Sequence, residues 1–193
     1  MGSEFVNVAA NSPGRCLAAG QKVCTSRGAA AVEELAKGAG FDAICYDPKT
    51  QRYVTQPARA RSAGRKPVVR LHTDKGKFEL TSDQPVVLQN GNFRLAAELT
   101  PGTRLCACEA KPELGYLVRS ADQGKEKVDL AYLTAADCAV ANWYPAPSVE
   151  SLGEAEVFQV EIVAPGDKSP PQVANVVVWA AGPGGGVGIA VCA

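Results

Sequence analysis

The sequence has few of the features that mark nucleic-acid-binding or membrane-spanning proteins. Its 20 Lys and Arg balance its 20 Asp and Glu, and it has one histidine, His72. A chain with no net charge offers no basic footprint of the kind that binds nucleic acid. No apolar run approaches the roughly 20 residues that a membrane helix needs. We therefore expect neither a nucleic-acid partner nor a membrane span.

The cysteines lack the spacing of a zinc site. There are seven, so at least one thiol is unpaired within the chain. No C-x-x-C occurs, and Cys106-x-Cys108 would place both sulfurs on one face of a strand, which is wrong for a zinc knuckle. Most of the cysteines are interpreted as small buried apolar residues, namely Cys24, Cys45, Cys106, Cys108 and Cys138. No metal and no cofactor are expected.

What the chain does have is the alternation of β-strands. Val69, Leu71 and Thr73 would face one way, with Arg70 and His72 facing the other. Turn signals follow at 74–76, and Asn90-Gly91 between apolar segments is a strong hairpin signal. A second alternating segment spans 157–163, and residues 173–179 resemble a buried strand. The chain is predicted to be mainly β.

The composition divides the chain into three parts. Residues 1–15 are predicted to be a tag followed by an upstream segment, since Met1 to Phe5 looks like a cloning-derived leader. Residues 16–181 are predicted to form one β domain, with an insert at 110–155 where polar residues and prolines increase. Residues 182–193 are predicted to be a flexible glycine-rich tail. The glycines of this tail do not fit the dinucleotide-binding pattern G-x-G-x-x-G, because residue 187 is Val.

Two stretches of the β domain look like copies of one another. Leu35 and Leu99 lie 64 positions apart, as do Gly38 and Gly102, and Gly28 and Gly91 lie 63 apart. Carried back along the chain, this offset places Cys16 near Thr81. A duplicated β domain would be pseudo-two-fold symmetric, with the starts of its two copies close in space. We therefore expect the segment 81–84 to lie beside Cys16.

These motifs, in this order, resemble the Hint domains of inteins, bacterial intein-like domains and Hedgehog autoprocessing domains. Cys16-Leu-Ala-Ala-Gly20 followed by Val23 is similar to the opening of that family. Thr81-Ser-Asp-Gln84 resembles its Thr-x-x-His motif, with Gln at the histidine position. Residues 157–162 and 173–179 resemble the last strand motifs. The resemblance implies a horseshoe of mostly antiparallel strands with pseudo-two-fold symmetry.

The resemblance also implies self-processing at the Arg15–Cys16 peptide bond. Cys16 would be the nucleophile of an N-to-S acyl shift that forms a thioester, Thr81 would bind the scissile amide, and Gln84 would stand at the acid/base position. The substrate would be the chain's own upstream, extein-like segment. The acyl acceptor would be water, a thiol or another small nucleophile. The domain would act once, as a monomer, rather than turn over as an enzyme.

The sequence departs from this pattern at both ends of the reaction. Gln84 cannot exchange a proton near neutral pH, and His72 and Asp83 are the candidates for a supporting role. Splicing members carry His-Asn and then a nucleophile after the last strand motif, where this chain has Ala180, Ala181 and Gly182; Cys192 follows ten residues later. N-terminal cleavage is therefore favoured over full splicing.

Two alternatives to self-processing stay open. One is a catalytically inactive Hint-like β domain that acts as a structural or protein-binding module through residues 110–155. The other is an ordinary thiol hydrolase, which would need a histidine close to Cys16, and only His72 is available.

Overall fold

Antiparallel β-strands make up almost all of the part of the chain that the structure describes. The structure, a computed structural model, describes residues 15–47, 52–73, 76–88, 92–100, 105, 107–109, 148–163, 173–180 and 187–193. Its strands are β1 (Leu17–Ala18), β2 (Lys22–Thr25), β3 (Gly28–Ala31), β4 (Phe41–Asp47), β5 (Arg52–Thr73), β6 (Gly76–Thr81), β7 (Pro85–Val87), β8 (Phe93–Leu95), β9 (Ala107–Glu109), β10 (Ser148–Ile162), β11 (Asn175–Ala180) and β12 (Val187–Cys192).

In the part of the chain that the structure describes, two short helical segments accompany the strands: α1 (Val32–Leu35) and a 3-10 turn (Ala96–Glu98). Within the described ranges, no helix is long and apolar enough to cross a membrane. The mainly β, mostly antiparallel fold predicted from the sequence is confirmed.

The strands form one continuous sheet. Its order is β10-β1-β6-β5-β4-β2-β11-β12-β7-β8, with β3 on β2, β9 on β12 and a further pairing of β10 with β5. The β7–β8 pair is the hairpin that Asn90-Gly91 predicted, with Val86 opposite Arg94. The β5–β6 pair is the hairpin predicted from the turn signals at 74–76, with Leu71 opposite Phe78.

β5 and β10 form a long two-stranded ribbon that the sequence did not predict. Their pairing runs from Ser148 opposite His72 to Ile162 opposite Ala58, with two register shifts. Residues 148–155 therefore belong to a strand, which corrects the predicted insert at 110–155 in this part. Its remaining residues, 110–147, lie outside the described residues, as do residues 1–14, Cys106, Cys138 and the segment 181–186.

The predicted flexible tail at 182–193 is wrong for its second half. Residues 187–192 form β12, which pairs with β11 along its whole length, from Asn175 opposite Cys192 to Ala180 opposite Val187. β12 also pairs with β7 at Val86. The glycines that suggested flexibility precede a strand whose neighbours satisfy its backbone on both sides.

A pseudo-two-fold relation connects the halves of the sheet through equivalent backbone hydrogen bonds. The Gln21 N–H donates to Ala18 O, and the Gln84 N–H donates to Thr81 O, both at 3.0 Å. The carbonyl oxygens of Gln21 and Gln84 in turn accept from the first residue of α1 and of the 3-10 turn, both at 2.9 Å. These matched hydrogen bonds make Ala18, rather than Cys16, the equivalent of Thr81.

The core lies on the face of the sheet to which the alternating apolar residues point. Phe78 and Leu80 of β6 and Leu71 of β5 are fully buried in it, together with Val23 of β2 and Ile189 of β12. Val86 and Leu88 of the second copy belong to the same cluster, so both halves of the repeat contribute to one core.

Asn175, at the start of β11, joins the β11–β12 hairpin to β4. Its Oδ1 accepts from the Tyr46 N–H at 2.9 Å, and its Nδ2 donates to Tyr46 O at 2.8 Å.

We predict that Asn175→Ala lowers the free energy of unfolding by about 1–3 kcal/mol, because buried backbone groups lose this partner. Urea unfolding would measure it, with the exposed Thr55→Ala as a control expected within about 0.5 kcal/mol of the parent. Equal effects of the two changes would contradict this role.

Candidate self-processing site

Cys16 lies directly before β1, a two-residue strand held between β6 and β10. Leu17 is opposite Leu80 on one side and Phe158 on the other. Because successive side chains in a strand point to opposite faces, Leu17 enters the main core and Cys16 points away from it. Cys16 is in a second, smaller cluster of buried residues with Ala18, Val68 and Val157. The thiol is therefore removed from bulk water, at 2% exposure.

Thr81, the last residue of β6, holds the Cys16 backbone. Its Oγ1 accepts from the Cys16 N–H at 3.2 Å and lies 3.1 Å from Cys16 O, to which the hydroxyl donates. The Thr81 N–H donates to the same oxygen at 3.0 Å. The predicted proximity of residue 81 to Cys16 is confirmed, and the threonine hydroxyl touches the nitrogen of the Arg15–Cys16 peptide bond.

Gln84 ties the Thr81 turn to β12. It is buried, and its Nε2 donates to Cys192 O at 2.7 Å and to Pro85 O at 3.0 Å. The two hydrogens of the amide are therefore directed at backbone oxygens. Gln21 does the same in the other half, donating to Trp179 O at 2.9 Å and to Lys22 O at 3.0 Å. The two glutamines are equivalent braces for the two strands of the β11–β12 hairpin.

Among the described residues, charged side chains that act on the Cys16 thiol include Lys66, Asp83 and Arg15. Burial raises its pKa most, the Lys66 ammonium lowers it by charge and hydrogen bond, Asp83 raises it and Arg15 lowers it. The net direction is upward, so at neutral pH the thiol form dominates. Asp83, predicted as a supporting residue, is close enough to influence Cys16, but as a negative charge it opposes thiolate formation.

His72, the other predicted supporting residue, is at the far end of β5. Its Nε2 is hydrogen-bonded to Glu150 Oε1 at 2.6 Å. The site is reached by Val68, which is opposite Thr81, whereas His72 is opposite Lys77. Four residues along a strand span about 13 Å. The structure therefore does not bring His72 to Cys16, and the thiol hydrolase alternative loses the histidine it would need.

The surroundings of Arg15 and Cys192 were not predicted from the sequence. Arg15 is 9% exposed although it precedes the first strand. Its pKa is lowered by burial, and the thiols of Cys192 and Cys16 act against that effect. Burial also raises the pKa of the Cys192 thiol to about 11. The alternation of Val187, Ile189 and Val191 was the available signal that residues 187–192 form a strand reaching the site.

No protein-family model matches the sequence, and no curated protein matches it either. Solved structures do match. A DnaB intein from Synechocystis sp. PCC 6803 superposes with a TM-score of 0.63 at 15% identity, covering 92% of this chain and 97% of that one. The DnaX mini-intein from Spirulina platensis superposes with a TM-score of 0.59 at 16% identity, covering 92% and 99%.

A bacterial intein-like domain from Clostridium thermocellum superposes with a TM-score of 0.58 at 14% identity, covering 93% of this chain and 99% of that one. The chain has the intein-like fold. The resemblance drawn from the sequence motifs is thereby confirmed at the level of fold. Identities this low show the fold alone.

Among the described residues, no group of three or more His, Cys, Asp or Glu side chains is arranged to hold a metal ion. The described groups at the Arg15–Cys16 bond include the Cys16 thiol, the Thr81 hydroxyl and the Lys66 ammonium. Such a set can support nucleophilic attack by sulfur and hydrogen bonding to the amide.

Proposed function

We propose that this intein-like domain processes itself at the Arg15–Cys16 bond. The Cys16 sulfur attacks the Arg15 carbonyl carbon, the bond from that carbon to the Cys16 nitrogen breaks, and a thioester forms. A small nucleophile, water or a thiol, then takes the acyl group and releases residues 1–15. Cysteine suits this chemistry because the thiolate is a strong nucleophile near neutral pH.

The contact between the Thr81 hydroxyl and the Cys16 nitrogen carries the proposal. Of the described groups, the Thr81 hydroxyl links the segment 81–84 directly to the bond that would break. Its oxygen lies 3.2 Å from the Cys16 nitrogen. The three hydrogen bonds between Thr81 and the Cys16 backbone also fix the residue that must attack its own amide. Fixed geometry of this kind lowers the entropic part of the barrier.

The proposal covers N-terminal cleavage and not full splicing. The residues before Cys192 are Ile189, Ala190 and Val191, and none has a side-chain amide that could cyclise. Asn175 has one, but both of its amide atoms are engaged with the Tyr46 backbone. A second peptide bond is therefore not expected to break by this route.

A dormant domain is the second candidate, favoured by Gln84. An amide cannot supply the proton that the Cys16 nitrogen needs when it leaves, and the Gln84 amide hydrogens are directed at Cys192 O and Pro85 O. In this case the intein-like domain keeps its fold and acts as a structural or protein-binding module.

Incubation of the protein with dithiothreitol distinguishes the two candidates. We predict slow release of residues 1–15, visible by intact mass spectrometry as two fragments separated between Arg15 and Cys16. Cys16→Ala should prevent release completely, because no other atom of that residue can accept the acyl group. Cys192→Ser should still release residues 1–15 by cleavage between Arg15 and Cys16. A parent chain that stays intact for days, with Gln84→His also intact, would exclude self-processing and leave the dormant domain.

A further inference from the structure

A lysine lies beside the Cys16 sulfur. Lys66 Nζ is 3.8 Å from Cys16 Sγ, within hydrogen-bonding distance of sulfur, although 50 residues separate the two in sequence. Lys66 is in β5, opposite Ala155 of β10. Ala155 packs against the small cluster that contains Cys16. The β5–β10 ribbon thus places a cation on the thiol from outside the core.

This contact differs from the other charged neighbours of the thiol. Arg15 and Asp83 act on Cys16 through space and with opposite signs. Lys66 both carries a positive charge and donates a hydrogen bond to the sulfur. A cation at hydrogen-bonding distance from an acidic group lowers its pKa, so Lys66 acts against the effect of burial on the thiol.

We propose that Lys66 is a catalytic residue of the acyl shift, whose ammonium stabilises the Cys16 thiolate as it attacks the Arg15 carbonyl. The inference rests on the proposed function, since it names the group that stabilises the ionised nucleophile of that reaction. Lys66 touches the reacting sulfur, whereas the Gln84 amide is engaged with backbone oxygens.

The acyl shift balances with water as its only additional reactant. The thiol proton leaves to water, the sulfur–carbon bond forms, and the carbon–nitrogen bond between Arg15 and Cys16 breaks. The Cys16 nitrogen takes up a proton from water as it becomes an amine. One proton is lost and one gained, and Lys66 remains an ammonium throughout. Its contribution is electrostatic, which avoids the need for a histidine at the sulfur.

The ionisation of Cys16 can be measured without any cleavage. The chain is labelled with ¹³Cβ-cysteine, kept reduced with a phosphine, and titrated by NMR; the Cys16 signal is assigned as the one missing in Cys16→Ser. Lys66→Met should move the Cys16 midpoint upward by about one pH unit. Lys66→Arg should keep most of the parental midpoint, because it retains the charge. Lys77→Met, which removes a lysine from β6, should leave it unchanged.

The other cysteine signals report whether each variant is folded. If Lys66→Met is unfolded, Lys66→Arg is compared with the milder Lys66→Gln instead. An unchanged Cys16 midpoint in folded Lys66→Met or Lys66→Gln overturns the role of Lys66 even if the parent releases residues 1–15. If the Cys16 midpoint shifts but the parent chain never cleaves, the pairing of Lys66 with Cys16 is supported and the proposed function fails. In a chain that cleaves, Lys66→Met should slow release at pH 7 by about tenfold, since the thiolate fraction falls by that factor.

Discussion

Replacing Gln84 with histidine is expected to accelerate release of residues 1–15 by about 10²–10⁴-fold in the presence of dithiothreitol. The nitrogen that leaves Arg15 must take up a proton, and an imidazole can supply one near neutral pH. Gln84 is buried at the turn that begins with Thr81, whose hydroxyl touches this nitrogen. A histidine there would be placed by the same turn.

The substitution fits the hydrogen bonds around residue 84. An imidazolium has two N–H groups, so one can keep the bond to Cys192 O while the other supplies the proton to the Cys16 nitrogen, and only the bond to Pro85 O is lost. Losing one hydrogen bond costs about 1 kcal/mol of stability. That loss is small compared with the stability of a typical domain. The variant is therefore expected to fold and to gain activity.

The pseudo-two-fold relation supplies a matched control for this experiment. Gln21→His makes the same change at the equivalent brace, whose amide donates to Lys22 O and to Trp179 O of β11. Rates followed by intact mass spectrometry should rise for Gln84→His and stay at the parental value for Gln21→His. Similar acceleration by both changes would show that loosening the hairpin, not proton transfer, controls the rate.

Replacing Phe78 with alanine is expected to lower the free energy of unfolding by about 3–5 kcal/mol. Phe78 is fully buried, heads the largest completely buried side chains of the described residues, and is opposite Leu71 in the β5–β6 hairpin. Truncation removes its apolar contacts and leaves a cavity that a paired β-sheet cannot easily close.

Chemical denaturation followed by tryptophan fluorescence measures this loss. Lys77→Ala, one position earlier on the exposed side of β6, is the control and should change stability by less than about 0.5 kcal/mol. A loss below about 1 kcal/mol for Phe78→Ala would mean that β6 does not pack in the core as described. Thr81 ends the same strand, so the site depends on this packing.

The sequence predicted those parts of the fold that local patterns determine. Alternation identified the strand containing Val69 and Leu71, and Asn90-Gly91 identified the β7–β8 hairpin. The repeat correctly placed residue 81 beside Cys16, although the register was displaced by two residues. Its equivalent is Ala18, because matching hydrogen bonds, not matching chemistry, define the relation.

The parts that the sequence did not predict depend on contacts between distant segments. Residues 59–66 have no apolar alternation, and they are extended because β10 pairs with them. β12 was missed because it follows a glycine run and gains its partners from β11 and β7. Lys66 reaches Cys16 only through the register of the ribbon, so no local motif could connect the two residues.

The brace formed by Gln84 has a consequence for the order of events during protein synthesis. The bond proposed to break is at residue 15, yet Gln84, at the turn that begins with Thr81, is held by the carbonyl oxygen of Cys192, far later in the sequence. A ribosome-bound chain that has not yet reached residue 192 holds the nucleophile and the threonine but not the strand that closes them in. Completion of the Gln84 brace therefore depends on the synthesis of β12.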